Sequence, residues 1–465
     1  MSQHTTTQGS NHFAFATVTS LFFMWGFISC MNDLLIPKFK AEFELSQFQA
    51  NLVQSFFFGA YCLVSLAYFL ISAAKGDPIN KIGYKNGLII GLILTAGACM
   101  VFVPAANTAS YPLFLVALCL LGSGVTLIQI AANPYISILG PESSASSRLN
   151  LSQGLNSLGY VLTPLIGGAL IFQSATGEGG LDTVKAPYVG LAVILLAIAI
   201  AIKFIKLPTF RQEGHVEAGI KVFRHKHFAW GMAAIFFYVG AEVTVGSILV
   251  NYLEKIMNFT EEQGVKYLSF YWGGLMIGRL MGAISLSGLQ QAKKFPMMVV
   301  AALVSIFIIF LSAKGKSDLT VGEIWPYFIT VVLSFVFFRL GRALPGRMVG
   351  LFAIVATVLS LLAMTTSGEF ALWSIVGIGL FNSIMWSNIF TLSIRGLGED
   401  TSQGSSLLVM MICGGALLPL IQGGLMDFFG VRASLSIVLI SYLYLAYFGF
   451  VGSKIGRESE DEQTA

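Results

Sequence analysis

One acidic residue interrupts the first long apolar stretch of the chain. Asp33 follows the mostly apolar residues 13–32 and precedes Pro37 by one helical turn. An isolated carboxylate within a membrane helix costs about 3 kcal/mol on insertion scales, which disfavours a position facing lipid. We therefore predict a coupling-ion site at Asp33, where a proton or Na+ neutralises the charge. The alternative is a carboxylate capped by its own backbone near the outer end of the helix.

Carboxamide side chains occur where a lipid-facing helix would carry Leu or Ile. Within residues 127–170 they are Gln129, Asn133, Gln153 and Asn156. A carboxamide in hydrocarbon costs free energy unless it meets a partner or water, so these residues indicate a wet cavity inside a helical bundle. Three oxygen ligands are predicted to join Asp33 at the coupling ion: Asn32, Gln129 and Asn133.

The segment FNSIMWSNIF repeats this polar pattern in the second half of the chain. Carboxamides offer a donor and an acceptor together, which suits vicinal hydroxyls, and an indole face suits the C–H face of a pyranose ring. We predict a sugar site formed by Gln129, Gln153, Asn156, Asn382, Trp386, Asn388, Glu242, Tyr271 and Trp272. For Tyr271 and Trp272, ordinary core filling is the alternative, and for Glu242 it is a structural ion pair.

Arg279 lies toward the predicted cytoplasmic end of its apolar stretch. We predict a structural or gating role for it, in which it closes the inner mouth through backbone carbonyls or a loop acid. Glu142, between two predicted spans, and Arg148, at the start of the next span, are assigned to the same gating or structural group.

Composition places the chain in a membrane. Of its 465 residues, 55% are hydrophobic and 11% are charged. That charged share is less than half the usual value of about 25% for soluble domains. Recurring runs of about 20 apolar residues predict an all-α polytopic membrane protein.

Several other classes of function find no support. The net charge of +4 is modest and gives no nucleic-acid footprint. The five cysteines fall inside apolar runs without metal-ligand spacing, so disulfides and zinc are not expected. Motifs of the HExxH, GxSxG and phosphate-loop types are absent and the histidines are confined to the tail and a linker, so an enzyme is not expected.

About 14 spans are predicted from the apolar runs. They are 13–37, 49–74, 83–104, 110–140, 147–172, 186–207, 227–254, 264–288, 296–313, 325–338, 347–366, 370–394, 404–426 and 432–453. Residues 13–207 are predicted to form one six-helix bundle and 227–453 a second bundle. A disordered tail 1–12, a cytoplasmic linker 208–226 and a cytoplasmic tail 454–465 complete the chain.

The two halves are related by an internal repeat. Asn133 recurs as Asn388 at an offset of about 255 residues, whereas Gly59 recurs as Gly273 at about 214. The difference between the offsets predicts an insertion of roughly 41 residues in the second half. Because two extra spans return the chain to the same side, we expect an inserted helical hairpin at about 292–343. The excess of Lys and Arg in alternate loops predicts cytoplasmic termini.

The motifs AANPYISILGPESS, RLNLSQGLNSLG and GEDTSQGSS resemble the fucose–galactose–glucose:cation symporter branch of the major facilitator superfamily. The resemblance covers most of the chain. It implies two pseudo-symmetric six-helix bundles with a central sugar site that rocks between inward-open and outward-open states. It also gives Asp33 the place of the first-helix acid that is tied to proton coupling in the fucose permease.

One departure from the fucose permease affects the coupling ion. Where that permease has a Glu in its fourth helix, this chain has Gln129, which cannot titrate but keeps an oxygen ligand. We therefore expect Na+ rather than H+ coupling. The expected protein is a monomeric symporter in a bacterial inner membrane that imports a glucose- or galactose-type hexose and has no cofactor.

Three alternatives remain beside this expectation. The first is H+-coupled uptake of fucose or another hexose. The second, from a different class, is a non-transporting sugar sensor, although the stretch after Gly452 is short for a signalling domain. The third is drug efflux, which usually employs a more apolar cavity.

Overall fold

The structure is a computed structural model that describes residues 8–45, 47–171, 180–205, 207–208, 219–314 and 321–456. The described residues form helices joined by short loops and turns, with no β-strand among them. The all-helical fold class is therefore confirmed. By their internal contacts the residues divide into two compact units, which we call unit 1 and unit 2.

Unit 1 comprises Met1–Glu142, Leu162–Val222 and Leu397–Met410. Its helices are α1 (Gln8–Glu42), α2 (Gln47–Lys75), α3 (Pro78–Ile82), α4 (Tyr84–Asn107), α5 (Tyr111–Ile138), the later part of α6 (Ala145–Ile171), α7 (Lys185–Phe204) and α15 (Thr401–Met410). Helix α4 is central, because it packs on both α5 and α7. The close approach of α4 to α5 requires a glycine, because a Cβ atom on Gly91 would lie 2.7 Å from Ile128 Cγ1.

Unit 2 comprises Ser143–Val161, Phe223–Gly396 and Met411–Ala465. Besides the first part of α6, its helices are α8 (Lys226–Met257), α9 (Glu261–Ser285), α10 (Gln291–Lys314), α11 (Trp325–Leu340), α12 (Pro345–Thr365), α13 (Gly368–Asn382), α14 (Met385–Ile394), α16 (Gly414–Ser434) and α17 (Ser436–Phe450). Helix α8 packs on α16 and α17, and α9 packs on α10 and α13.

The packing identifies the inserted hairpin. Helix α12 packs on α13 and α17 in the way that α4 packs on α5 and α7, so α12 is the repeat partner of α4. Helices α10 and α11 precede α12 and have no counterpart in unit 1. They meet where the rings of Phe295 and Phe335 lie 5.5 Å apart. The predicted hairpin is therefore confirmed. Its two helices pack on α9, α12 and α13, which belong to the repeated bundle.

The fourteen predicted spans all coincide with helices. Eleven helical segments of the described chain are long and apolar enough to cross a membrane. The other three spans are α6 and α9, which carry more polar residues, and α11, which is 16 residues long. Several boundaries differ; at the N-terminus, α1 begins at Gln8, inside the predicted disordered tail. Most of the predicted linker (209–218) and of the C-terminal tail (457–465) lies outside the described residues.

The compact units differ from the two halves predicted at 13–207 and 227–453, because each unit includes one segment of the other half. Polar side chains account for this. In the first part of α6, Ser147 donates to the Ala283 carbonyl of unit 2 at 2.6 Å. In α15, Gln403 donates to the Ser72 hydroxyl of unit 1 at 3.1 Å. Such side chains need partners in a dry interior, and these segments therefore pack where partners exist.

Candidate functional site

Asp33 lies on α1 of unit 1 and bonds a side chain of another helix. Its Oδ1 accepts a hydrogen bond from Gln54 Nε2 of α2 at 2.5 Å, and the residue is exposed. The partner is thus a side chain of α2, whereas the alternative prediction was a carboxylate capped by its own backbone. Gln54 is not among the predicted site residues. The signal was present, since Gln54 is a carboxamide within an apolar stretch, as Gln129 is.

Asn32, beside Asp33, is engaged in helix packing. Its Oδ1 accepts a hydrogen bond from the Tyr188 hydroxyl of α7 at 3.4 Å. The Tyr188 ring in turn stacks on Phe102 with ring centroids 3.8 Å apart. The Asn32 oxygen that was predicted to bind a coupling ion is thus already used by a tyrosine.

Gln129 and Asn133 lie on one face of α5, one helical turn apart, and both are fully buried. Neither side-chain amide forms a hydrogen bond of ordinary geometry with any described residue, so no such bond links Gln129 to Asp33. The Tyr61 hydroxyl of α2 does lie beside Gln129. Buried amides left in this state are rare and mark places where water or a ligand can bind.

Unit 2 contains a buried ion pair. Arg279 of α9 places Nη2 3.5 Å from Glu242 Oε1 of α8. The same guanidinium donates from Nη1 to Ser157 Oγ at 2.7 Å and from Nε to the Ser383 carbonyl at 3.2 Å. Arg279 of α9 therefore bonds α8, α6 and the break after α13, which is consistent with a structural role. The prediction named backbone carbonyls or a loop acid: Arg279 does bond a carbonyl, that of Ser383, whereas the acid it meets lies on a helix.

The break between α13 and α14 is the polar centre of unit 2. Ser383 lies in the break, where helical backbone groups lose their regular partners. Just before it, Asn382 Nδ2 donates to the Tyr271 hydroxyl at 3.2 Å, and that hydroxyl donates to the Glu242 carbonyl at 2.7 Å. Within the described chain, Asn382 Oδ1 and Trp386 Nε1 are buried without a hydrogen bond.

The first part of α6 adds amides to unit 2. Asn150 Nδ2 donates to Asn388 Oδ1 at 3.1 Å. The acceptor atom of Asn388, a residue predicted to bind the sugar, is therefore already used within the protein. Gln153 is buried, and its Nε2 has no hydrogen-bond partner among the described residues. Asn156 follows Gln153 by about one turn of the same helix and is buried as well.

Tyr271 and Trp272 differ in their surroundings. Tyr271 is fully buried and holds the bonds described above, so it combines core filling with a polar role. The ring of Trp272 is half-buried and stacks on Tyr160 with an interplanar angle of 19°. Its edge lies against Gly246, where an added Cβ atom would come within 2.6 Å of Cζ2.

The predicted gating residues at the start of α6 have local contacts. Arg148 Nη1 donates to Ser144 Oγ at 2.8 Å, and Glu142 opens the short 3-10 turn Glu142–Ser144. No group of three or more His, Cys, Asp or Glu residues that could hold a metal ion occurs in the described part of the chain.

Known proteins that resemble this chain are membrane transporters of one superfamily. The pattern of the Major Facilitator Superfamily matches residues 13–338. A glucose/galactose transporter of Brucella abortus (strain 2308) is 37% identical over 461 residues, covering 97% of each chain. A putative glucose/galactose transporter of Helicobacter pylori (strain J99) is 35% identical over 460 residues, covering 96% of this chain and 98% of the relative.

Relatives of a second kind are fucose transporters. The L-fucose-proton symporter of Escherichia coli (strain K12) is 30% identical over 441 residues, covering 89% of this chain and 86% of the relative. A crystal structure of the transporter FucP in the outward conformation matches with a TM-score of 0.75 and 27% identity, covering 95% of this chain and 98% of that chain. The chain therefore belongs to the major facilitator superfamily, in the branch of the glucose/galactose transporters and L-fucose–proton symporters, and is a transporter rather than an enzyme.

Proposed function

We propose that this protein imports a hexose of the glucose or galactose type by symport with a cation. One observation carries the proposal: several buried amide and indole atoms have no hydrogen-bond partner among the described residues. They are both amide atoms of Gln129 and of Asn133, Asn382 Oδ1 and Trp386 Nε1. Each such group costs about 1 to 3 kcal/mol while it stays unpaired. A sugar offers hydroxyls that both donate and accept, so it can satisfy amides whose own partners are missing.

The sugar-binding groups of unit 2 suit a pyranose. Asn382 and Asn388 each have one amide atom bonded to a tyrosine or an asparagine, which orients the other atom for a ligand. Trp386 offers an aromatic face and a free indole N–H. The relatives named as glucose/galactose transporters, at 35% to 37% identity over nearly the whole chain, support this choice of cargo.

Asp33 is the proposed coupling group of unit 1. A cation that neutralises the carboxylate would remove the cost of a charge within the membrane and permit a closed state. We propose Na+ as that cation, because Gln129 supplies an oxygen that does not titrate. The second candidate is H+, favoured by relatives named L-fucose-proton symporters and by the neutral amide of Gln54, which can bond a carboxyl group in either protonation state.

The proposed setting is a bacterial inner membrane, crossed many times by a monomer with both termini in the cytoplasm. The distribution of Lys and Arg among the loops supports this orientation. Labelling of single cysteines placed in alternate loops, in intact cells, tests it. Reaction of a cysteine placed at Leu289, in the turn before α10, with an impermeant reagent would contradict the proposed topology.

Uptake into proteoliposomes tests the function. Labelled glucose, galactose and fucose are offered under an imposed Na+ gradient or an imposed pH gradient, applied separately, with protein-free liposomes as the control. We expect the Na+ gradient alone to drive accumulation of glucose and galactose, and an ionophore that collapses the gradient to abolish it. Accumulation under the pH gradient in the absence of Na+ would support the H+ alternative. No accumulation under either gradient would refute symport.

A further inference from the structure

The inserted hairpin reaches α9 through a buried hydroxyl of α11. One face of α11 is buried, and its residues are Tyr327, Val331, Ser334 and Phe338. The Tyr327 hydroxyl donates to the Phe270 carbonyl of α9 at 3.0 Å, and the tyrosine is fully buried. A helical carbonyl has a second lone pair beside the one used within the helix, so it can accept this additional bond. The hairpin is therefore hydrogen-bonded to the backbone of a helix of the repeated bundle.

Aromatic rings of three helices surround this hydrogen bond. The rings of Tyr327 and Phe270 lie 5.3 Å apart with an interplanar angle of 71°. The ring of Trp373, on α13, lies 6.1 Å from that of Tyr327 and 6.4 Å from that of Phe270. Ring pairs at these distances attract one another in preferred geometries. Packing therefore holds the Tyr327 ring in place, and its hydroxyl has a defined position against α9.

The equivalent helix of unit 1 has no such cover. Gly59 of α2 and Gly273 of α9 are equivalent positions of the internal repeat. A Cβ atom added to Gly59 would meet no described atom within 4 Å, whereas one added to Gly273 would lie 2.6 Å from Ile309 Cδ1 of α10. The hairpin therefore covers a side of α9 that α2 leaves open at the matching position.

The backbone of α9 is approached from two sides at Gly274. A Cβ atom at this residue would lie 3.0 Å from the Tyr327 hydroxyl oxygen and 2.8 Å from the Leu380 nitrogen of α13. No side chain separates α9 from either neighbour at this point. A change in the contact with Tyr327 is therefore transmitted to the α9 backbone, because no flexible side chain lies between them to absorb it.

The turn of α9 that Tyr327 contacts also carries Tyr271, which follows Phe270 directly in the chain. The Tyr271 hydroxyl donates to the Glu242 carbonyl at 2.7 Å and accepts from Asn382 Nδ2 at 3.2 Å. The other amide atom, Asn382 Oδ1, has no hydrogen-bond partner in the described chain and belongs to the proposed sugar site. The position of this turn therefore sets the orientation of an amide that is proposed to bind sugar.

We propose that Tyr327 is a positioning residue for sugar binding. Its hydrogen bond to the Phe270 carbonyl holds Tyr271 where that residue orients the Asn382 amide. Tyr327 acts through α9 and is not itself a ligand of the sugar. Because the orientation of a half-bonded amide decides which hydroxyl it can meet, loss of the Tyr327 hydroxyl weakens binding of the hexose. The inference rests on the proposed sugar site, and it gives the inserted hairpin a part in recognition.

Removal of the hydroxyl alone tests this role. Purified wild type, Tyr327→Phe and Tyr252→Phe are titrated with labelled galactose and with labelled glucose. Tyr252 is the matched control, because it is a fully buried tyrosine of unit 2 whose hydroxyl donates to the Ala363 carbonyl of a neighbouring helix. We expect Tyr327→Phe to weaken binding about fivefold, which corresponds to about 1 kcal/mol, and Tyr252→Phe to bind as wild type does.

A double-variant comparison separates positioning from a general loss of stability. Tyr271→Phe removes the hydroxyl through which Tyr327 acts, so adding Tyr327→Phe to it should weaken binding less than twofold further. A merely structural role would weaken binding by the same factor in both backgrounds. In proteoliposomes, Tyr327→Phe should raise the sugar KM and leave the maximal rate near that of wild type. A lowered maximal rate with an unchanged KM would contradict the proposed role.

The outcomes distinguish this inference from the proposed function. Wild-type affinity in Tyr327→Phe, or an equal loss in both backgrounds, would overturn the positioning role and leave sugar transport intact. Wild-type affinity in Tyr271→Phe would also overturn the positioning role, since the residue it acts through would not serve the sugar. Failure of wild type to bind either sugar would overturn the proposed cargo and this inference with it.

Discussion

The acids of the two units are stabilised in different ways. In unit 1, Asp33 accepts from a neutral amide, that of Gln54, and it forms no ion pair within the described chain. In unit 2, Glu242 faces the Arg279 guanidinium at 3.5 Å. An acid with a permanent cationic partner gains little from a second cation, whereas an acid with only a neutral partner can bind and release one. The difference supports the proposed assignment of ion coupling to unit 1.

The buried amide side chains of the two units also differ in how many hydrogen bonds they form within the protein. Gln129 and Asn133 in unit 1 have no hydrogen bond to described residues, whereas Asn382 and Asn388 in unit 2 each have one bonded and one free atom. A half-bonded amide is held in one orientation and can recognise the position of a hydroxyl. An unbonded amide can adapt to a small ion. Unit 2 is therefore the better candidate for sugar specificity.

Asp33→Asn should have the largest effect on transport. The substitution keeps an oxygen and a partner for Gln54 but removes the charge that a cation neutralises. We expect accumulation of labelled sugar under a Na+ gradient to fall to the equilibrium level, while counterflow of labelled sugar remains partly intact. Both are measured in proteoliposomes.

The matched control for this change is Glu42→Gln. Glu42 lies on the same helix, and its surface pair with Lys38 at 3.1 Å is of the kind that contributes about 0.5 kcal/mol or less. We expect this variant to accumulate sugar as wild type does. Wild-type accumulation by Asp33→Asn would move the coupling group elsewhere and remove the contrast between the units.

Glu242→Gln should act on stability instead. Removing one member of a buried pair leaves the Arg279 charge uncompensated, and such changes cost about 3 kcal/mol or more. We expect a lowered thermal unfolding temperature in detergent, with residual uptake that still depends on the cation gradient. The double variant Glu242→Gln with Arg279→Gln should recover part of the loss. Unchanged stability in the single variant would show that the pair is not structural.

The sequence was informative about helices and weaker about contacts between them. Apolar runs located every span, because hydropathy follows from composition alone. Asp33 and Gln129 stood out since charge and amides are costly in hydrocarbon. Gln54 did not, because its contact with Asp33 depends on how α1 and α2 are rotated against one another. Rotation is set by packing of many side chains, which spacing along one helix does not encode.

The break at Ser383 illustrates the same limit. Residues 370–394 are largely apolar and predict one continuous span. The structure divides them into α13 and α14, and Arg279 donates to the Ser383 carbonyl in the break. The compensating donor comes from α9, 104 residues earlier in the chain. A local pattern therefore predicts the span but not its interruption.

Gln153→Ala tests the sugar-recognition side of the comparison. Loss of the amide leaves a sugar hydroxyl unpaired, so we expect binding to weaken by about 1 to 3 kcal/mol, or roughly 5- to 150-fold. Titration of purified protein with sugar measures this. The control is Gln422→Ala, a buried carboxamide of unit 2 that donates to Ser434 Oγ at 2.8 Å. Wild-type affinity in Gln153→Ala would place the sugar elsewhere.

Gln129→Glu should have the smallest effect and sharpens the comparison most directly. It adds an acid at a fully buried position of unit 1, where an ionised carboxylate without a cationic partner is costly. We expect uptake to depend less on Na+ and to rise several-fold as the pH falls from about 8 to about 6, because protonation then neutralises the new group. Initial rates at fixed sugar measure this. Gln129→Met, which adds no acid, should need more Na+ but show no such pH dependence, so a shared pH profile would argue against ion coupling at this position.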